Sequence, residues 1–589
     1  MCGIIGYVGS ENSIPLVLDG IKGLEYRGYD SFGCAIKTGN KIEILKDIGR
    51  INKVIAGQSI DKRLSSMSMA HTRWATNGGV TKENAHPLAD CSGKIAVVHN
   101  GIIENFSDLK KDMQNHSFIS DTDTEVLPHM IEEEMANGKS FEDSVVSVSN
   151  KIKGFSSFVA MNSDSDSLVA VKNGSPLVLG IRDKGVFVSS DVPSFLNYTN
   201  KVVYLFDGDV VSINTTGFKV LKSNSSSHKV NIVNFSPKDV DKGKNKHFMI
   251  KEILEQHELI TKLANSDISY LREPASIMSL AKKIYIIGSG SSFHAGLMAA
   301  NILRDFGRDA TALQPQDLYN YSKLITDEDV IMLISQSGET MDIIEALPLI
   351  KNNKKIGIIN TEGSTLSNSV DYFINMNAGH EKGVAATKTF IISAILATLI
   401  SMFSINQETE AVNDLKLLDI NLYNLFVPSV YDAIKKTASE IKKETNLFFL
   451  GRGNDYISAL EASLKMKEIS YIHAEAIDSA TFKHGPLALI SKGTYSIANV
   501  SDRFKELEIN NLKEIKARNG KIIGIANERL DIFDSFIRSQ SAGIFSFVPQ
   551  VIISQLLAYY VSVSKHIDPD HPRNLAKSGN NKVDKLFYS

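Results

Sequence analysis

The chain has 589 residues, 43% of them hydrophobic and 22% charged, with 64 Lys and Arg against 67 Asp and Glu. That length exceeds what one core serves and sets an expectation of about three domains. A net charge of -3 with no block of basic residues excludes nucleic acid and anionic membrane surfaces as partners.

Residues 1–222 read as a β-rich unit with some helix, from short apolar runs at 3–8, 96–99, 168–171, 186–189 and 202–206. Asp207-Gly208-Asp209 is a turn signal between two strands. Residues 223–247 are rich in Ser, then in Lys, Asp and Asn, and read as a linker. Beyond them strand and helix patterns alternate, which predicts α/β architecture with parallel sheets. Apolar runs at 284–287, 330–334 and 355–359 are the clearest strands. Gly288-Ser289-Gly290-Ser291-Ser292-Phe293 and Gly451-Arg452-Gly453-Asn454-Asp455-Tyr456 each follow such a run and open a helix, so the segment reads as two copies of one domain, at 248–425 and 426–589. The apolar stretches 390–405 and 547–563 are shorter than the roughly 20 residues of a membrane span and predict buried helices. No basic n-region precedes Cys2, and a cytoplasmic location is expected. Cys2, Cys34 and Cys91 form no CxxC pair, so neither a disulfide framework nor a zinc knuckle is expected.

Cys2 follows the initiator Met. With Met1 removed, one residue would carry a thiol and an α-amine of pKa about 8, which can serve as the thiol's own base. Taken alone, such a Cys is also an ordinary buried residue at a strand start. Its neighbours are informative. Met1-Cys2-Gly3-Ile4-Ile5-Gly6, Tyr26-Arg27-Gly28-Tyr29-Asp30-Ser31, His71-Thr72-Arg73-Trp74-Ala75-Thr76, His99-Asn100-Gly101 and Thr122-Asp123-Thr124-Glu125 together resemble the class II glutamine amidotransferases. The resemblance implies an N-terminal-nucleophile (αββα) glutaminase domain of the α+β class. Arg73 can fork onto the glutamine carboxylate, Asp123 can accept from its α-ammonium, and Thr76 joins that site. Asn100 and Gly101 can stabilise an oxyanion. Individually these are also a surface ion pair, a helix cap and a turn. The resemblance makes Trp74, the one Trp in the chain, a gate on an ammonia passage. Asn77 departs from the family, which often has His there. His71, His86 and His99 read as structural, because the amine removes the need for a His base.

In the second half, loop 289–292 and loop 335–340 each place hydroxyls and backbone N–H groups at a helix start, suited to a phosphate at the carboxyl ends of adjacent strands. They also suit plain helix capping. Neither carries a Walker Lys. In the second copy Asn454 and Asp455 replace Ser291 and Ser292, and a carboxylate there would repel a phosphate. On the expected 456–470 helix, Glu461, Lys465 and Glu468 form one stripe, with Ser463 and Lys467 on the opposite, solvent side. Such a stripe is either a solvated ladder or a set of groups facing a pocket.

These segments resemble the sugar isomerase (SIS) domain, and the order glutaminase, SIS, SIS resembles the glutamine–fructose-6-phosphate aminotransferase family. The resemblance implies flavodoxin-like SIS sheets and sugar-phosphate contacts from Ser291, Ser292, Ser335, Gln336, Ser337, Thr340 and Val384. It implies that Glu468 shuttles a proton between C1 and C2 with Lys465 assisting. It further implies that His484 opens the sugar ring from a neighbouring subunit of a homodimer, and that Lys577 forms a Schiff base. Ala480-Thr481 stand where the family has Gly then Glu, and residues 579–589 extend past its usual end. His566, Asp568, Asp570 and His571 crowd one loop without clean ligand spacing, and no metal or cofactor is expected. The implied reaction joins L-glutamine and D-fructose 6-phosphate to give D-glucosamine 6-phosphate. A glutaminase serving a phosphoribosyl or aspartyl acceptor, and a sugar-phosphate sensor without catalysis, are the rival readings.

Overall fold

A computed structural model describes residues 2–56, 60, 63–75, 77–223, 228–233, 241–575 and 577. The described residues divide into two compact units, one within 2–241 with Gly363–Thr365 and Lys577, the other of Lys242–Glu362 and Leu366–Leu575.

The first unit holds an antiparallel eight-stranded sheet and a six-stranded one. Strand Gly3–Gly9 is buried along its whole length because both of its faces are covered. Ile4 and Val8 enter a core between the sheets, with Ala96 and Val98 of strand Ile95–Gly101. Ile5 and Tyr7 point the other way, onto helix Ser13–Lys22. Ile95 and Val97 likewise turn outward, under helices Val126–Ala136 and Phe141–Lys151. The period of two in side-chain direction thus builds four layers, αββα. The 207–208 turn is present, and it passes the chain from strand Lys201–Tyr204 of one sheet to strand Asp209–Asn214 of the other. Within the segment read as a linker, Asn231–Ile232 pairs with Lys201 and Val202 as an edge strand. Two exposed residues at an edge leave no apolar pattern to recognise.

The second unit contains two five-stranded parallel sheets. In each, the strands lie in the spatial order second, first, third, fourth, fifth, the flavodoxin-like arrangement. The duplication extends to backbone detail. Gly290 and Gly453, before the first helix of each copy, have φ/ψ of 56/-123° and 58/-124°, a conformation that favours Gly. One continuous core runs through both copies, from Ile286 and Ile356 to Phe449 and Ile552, so the packing does not separate them. The two apolar stretches are helices Lys388–Ser404 and Phe547–Ser564 inside that core. By length and composition the latter, counted from Gly543, could cross a membrane, but 83% of its apolar window is buried in the protein.

One expectation fails. Ser463, placed on the solvent side of its helix, is 2% exposed. Helix Asn454–Ser470 packs against helices Phe547–Ser564 and Ser291–Asp305 and against its own sheet, which leaves Lys467 as the exposed position opposite the stripe. The Ser463 hydroxyl is satisfied locally, donating to the Leu460 carbonyl at 2.9 Å.

Candidate active sites

In the first unit Gly3 pairs with Thr72, which sets Cys2 beside the end of strand Met67–Arg73. The Trp74 N–H donates to Cys2 Sγ at 3.2 Å. Burial raises the thiol pKa against that hydrogen bond, so the thiol is protonated near neutral pH. Asn100 Nδ2 donates to the Cys2 carbonyl at 2.9 Å. His71 Nε2 faces two acceptors, Asn100 Oδ1 at 3.2 Å and the His99 carbonyl at 3.1 Å, so that nitrogen carries the proton. Burial lowers the His71 pKa to about 3 and also lowers those of His86 and His99, and the three rings are neutral. Gly101 has φ 137°, and a Cβ there would lie 2.0 Å from the Phe155 carbonyl oxygen. Arg73, 4% exposed, donates to the carbonyls of Asn77, Gly78 and Gly79 and so braces that loop. Asp123 accepts from the Ile103 N–H at 2.7 Å. Trp74 meets Tyr29 edge-on, with ring centroids 5.5 Å apart.

In the second unit the Glu461, Lys465 and Glu468 stripe is a network, with Glu461 and Lys465 buried and Glu468 partly exposed. Lys465 Nζ lies 2.7 Å from Glu468, 3.3 Å from Glu461 and 3.2 Å from Ser291 Oγ. Ser291 Oγ donates to Glu461 at 2.8 Å, and His294 Nδ1 lies 2.7 Å from its other oxygen. Burial alone would drive both charges toward neutrality. Instead the two carboxylates raise the Lys465 pKa, and Lys465 with His294 lowers that of Glu461. Two copies of the fold therefore meet at this point, Ser291 from the first and the charged ladder from the second. In the second loop, Ser335 Oγ is 2.8 Å from Thr340 Oγ1 and accepts from the Gly338 N–H, and Ser337 Oγ accepts from the Glu339 N–H.

The matching loop of the second copy is occupied by its own side chain. Asp455 accepts from the N–H and hydroxyl of Ser501 and from Gln550, at 2.7 to 2.8 Å. Ser501 follows the third strand of its sheet as Gln336 follows the third strand of the other. A cavity of about 700 Å³ opens beside it, lined by Arg452 and Arg503 but also by Asp455 and Asp502. Burial raises the Asp455 carboxyl to about 6 and that of nearby Glu508 to about 8. Glu508 would ionise near 4.5 when unfolded. Its stabilising contribution is therefore complete below pH 4.5 and falls as pH rises to about 8. Glu508→Gln, which does not ionise, should match the parent in urea unfolding at low pH. At pH near 8 it should be more stable by roughly 4 kcal/mol. Equal urea midpoints for the two proteins at both pH values would refute the assignment.

Comparison with known proteins places these sites in context. The profile of the glutamine amidotransferase domain matches residues 71–197, and that of the SIS domain matches 277–402 and 440–544. A glutamine–fructose-6-phosphate aminotransferase (isomerizing) from Thermococcus kodakarensis is 36% identical over 600 residues, spanning 98% of this chain and 99% of the relative. One from Clostridium tetani is 35% identical over 611 residues with the same coverage. The chain belongs to the glutamine–fructose-6-phosphate aminotransferase family. A solved C-terminal domain of glucosamine-fructose-6-phosphate aminotransferase from Francisella tularensis aligns with a TM-score of 0.52 and 30% identity, covering 56% of this chain and all of that one.

Of the residues that the two resemblances singled out, the structure gathers Trp74, next to Arg73, and Asn100 around Cys2, and Ser291, Lys465 and Glu468 at another site. Ser292 lies on the first turn of its helix beside Ser291, and Gln336 is in the second loop, its carbonyl accepting from Thr361. Val384 is half-buried, in a segment pinned by Glu252, which accepts from the N–H groups of Lys382 and Gly383. His484 is exposed and takes no part in the ladder's hydrogen bonds. Lys577 is 7% exposed and falls in the first compact unit. Thr76 and the 579–589 extension lie outside the described residues. Asp570 accepts from the N–H groups of Phe248 and Met249, so that loop caps a helix. Sequence reasoning missed His294; its position three residues after Ser291, one helical turn on, was the available signal.

Proposed function

We propose that the chain converts D-fructose 6-phosphate and L-glutamine to D-glucosamine 6-phosphate and L-glutamate. Cys2 Sγ attacks the glutamine amide while the α-amine of the same residue takes its proton and passes it to the leaving ammonia. Asn100, whose amide has two hydrogens, and Gly101 hold the oxyanion; Arg73, Asp123 and Thr76 hold the amino acid. Water then cleaves the thioester to glutamate, and ammonia passes Trp74.

Ser291, Ser292, Ser335, Gln336, Ser337 and Thr340 bind the sugar phosphate, with Val384 against the sugar. His484 of a neighbouring subunit in a homodimer opens the ring. Lys577 condenses with the C2 carbonyl, releasing water, and ammonia displaces it. Glu468, held by Lys465 Nζ at 2.7 Å, moves a proton from C1 to C2 while the C1 hydroxyl proton passes to the C2 nitrogen, which leaves the aldehyde at C1 and the amine at C2. The scheme draws on no metal or organic cofactor and suits a cytoplasmic enzyme.

The observation that carries this reading is Lys465 Nζ, buried between Glu468 and Ser291 Oγ, which joins a proton-transfer carboxylate to a phosphate-type loop. A coupled assay tests it: glutamate and glucosamine 6-phosphate should appear in equal amounts. Glutamate formed without the amino sugar, in the presence of fructose 6-phosphate, would mean that the acceptor is a different molecule.

A further inference from the structure

In the first unit four residues from three separate segments converge. Cys91 follows strand Leu88–Ala89, His116 follows helix Phe106–Asp112, and His129 and Glu132 lie one turn apart on helix Val126–Ala136. One ligand atom from each lies within 4.8 Å of all the others. Cys91 Sγ is 3.5 Å from His116 Nδ1 and 3.7 Å from His129 Nδ1. Glu132 Oε2 is 3.3 Å from His116 Nδ1 and 3.7 Å from His129 Nδ1. A tetrahedral zinc with bonds of about 2.3 Å to sulfur and about 2.0 Å to nitrogen and oxygen has ligand-to-ligand edges of about 3.3 to 3.6 Å. These four separations, 3.3 to 3.7 Å, fall on that range or just above it, and every pair in the cluster lies within 4.8 Å.

The protonation of the rings sharpens the point. Both histidines turn Nδ1 inward and Nε2 toward a carboxylate: His116 Nε2 lies 3.3 Å from Glu133, and His129 Nε2 lies 3.8 Å from Glu125. A proton on each Nε2 leaves two nitrogen lone pairs and a carboxylate oxygen facing one another, with a single S–H among them. The same Glu132 oxygen also accepts from the Cys91 N–H at 3.4 Å, and a cation placed among the four ligand atoms would meet both imidazole lone pairs, the carboxylate and the sulfur. Carboxylates behind metal-binding imidazoles are the usual outer partners of such ligands. The Ser117 N–H, 3.5 Å from Cys91 Sγ, points at the sulfur in the same way. His129 is 1% exposed.

We propose that Cys91, His116, His129 and Glu132 bind one structural Zn²⁺. Thiolate and imidazole ligands select zinc over calcium or magnesium, and four protein ligands leave no open position for catalysis. His116 and His129 bracket the segment that carries Asp123, so the ion would fasten both ends of that segment.

The test uses full-length protein purified without chelator from zinc-supplemented culture. Elemental analysis should find one zinc per chain, and Cys91→Ala and Glu132→Gln should lower it. Cobalt exchanged into the parent protein should show the visible bands of tetrahedral Co²⁺ and a thiolate charge-transfer band, the latter lost in Cys91→Ala. Cys91 is the exposed thiol of the three, so added Zn²⁺ should slow its reaction with a disulfide reagent in the unmutated chain, a readout that needs no variant to fold. Protein without stoichiometric zinc, whose Cys91 reacts at one rate with or without Zn²⁺, would overturn the proposal. Fast reaction of that thiol with no zinc bound would mark it instead as a histidine-activated cysteine and would equally overturn it.

Discussion

Cys2→Ala should make no glutamate from glutamine and yet still aminate fructose 6-phosphate when ammonia is supplied. Burial keeps the thiol protonated near neutral pH, so thiolate must be formed during attack, by a base already in place. Deleting the nucleophile removes the covalent route altogether, and glutamine-dependent turnover should fall by roughly 10⁴-fold or more. The ladder on helix Asn454–Ser470 belongs to the other compact unit and keeps its contacts. Ammonia-dependent synthesis should therefore persist, and should rise with pH as ammonium gives up its proton. The paired measurement is glutamate release and amino-sugar formation with each nitrogen donor. Substantial glutamine-dependent product from the variant would exclude Cys2 as nucleophile. Loss of the ammonia reaction as well would mean that the substitution damages more than the glutaminase.

Lys465→Met should both silence sugar amination and destabilise the second unit. Lys465 is 0% exposed and neutralises two carboxylates, one of them, Glu461, also 0% exposed. Replacing it leaves Glu461 with His294 as its one close basic partner in the ladder. Breaking a buried pair on one side costs about 3 to 5 kcal/mol. The pH dependence carries a definite sign. Glu461 is held below its unfolded value of 4.5 and Lys465 above its unfolded 10.5, so the network stabilises the parent between those limits. In the variant the stranded Glu461 takes up a proton more readily than when unfolded, so the deficit should be wider at pH 8 than near pH 5. Urea unfolding at the two pH values measures it. A deficit independent of pH would mean that packing, not charge, is the function of this side chain.

Much of this architecture was legible in the residues. The parallel strands stood out because strands covered on both faces leave unbroken apolar runs such as Ile284–Ile287. The duplication stood out because only Gly suits the backbone at 290 and 453. Other features were hidden for physical reasons. The edge strand Asn231–Ile232 is too short and exposed to pattern, and Ser463 looked solvated because a hydroxyl bonded to its own helix can be buried at little cost. The site residues differ in kind. Arg73, Trp74 and Asn100 lie within or next to local motifs and could be named from them. The tie between Ser291 and Lys465 spans 174 positions and needed the fold. The same holds for Cys91 beside His116 and His129, which local metal spacing could not suggest.

The two SIS copies have the same topology and opposite fates. Asp455 gives its copy a fixed internal anion, so that loop is satisfied from the moment it folds. Its sister keeps hydroxyls at the corresponding mouth, while the ladder that meets Ser291 comes from the helix of the Asp455 copy. On the proposed function, each twin is half of the sugar site: one would contribute the grip and the other the chemistry. Chains cut near residue 425 should give fragments that are inert apart, and one sugar should bind per polypeptide despite two homologous folds.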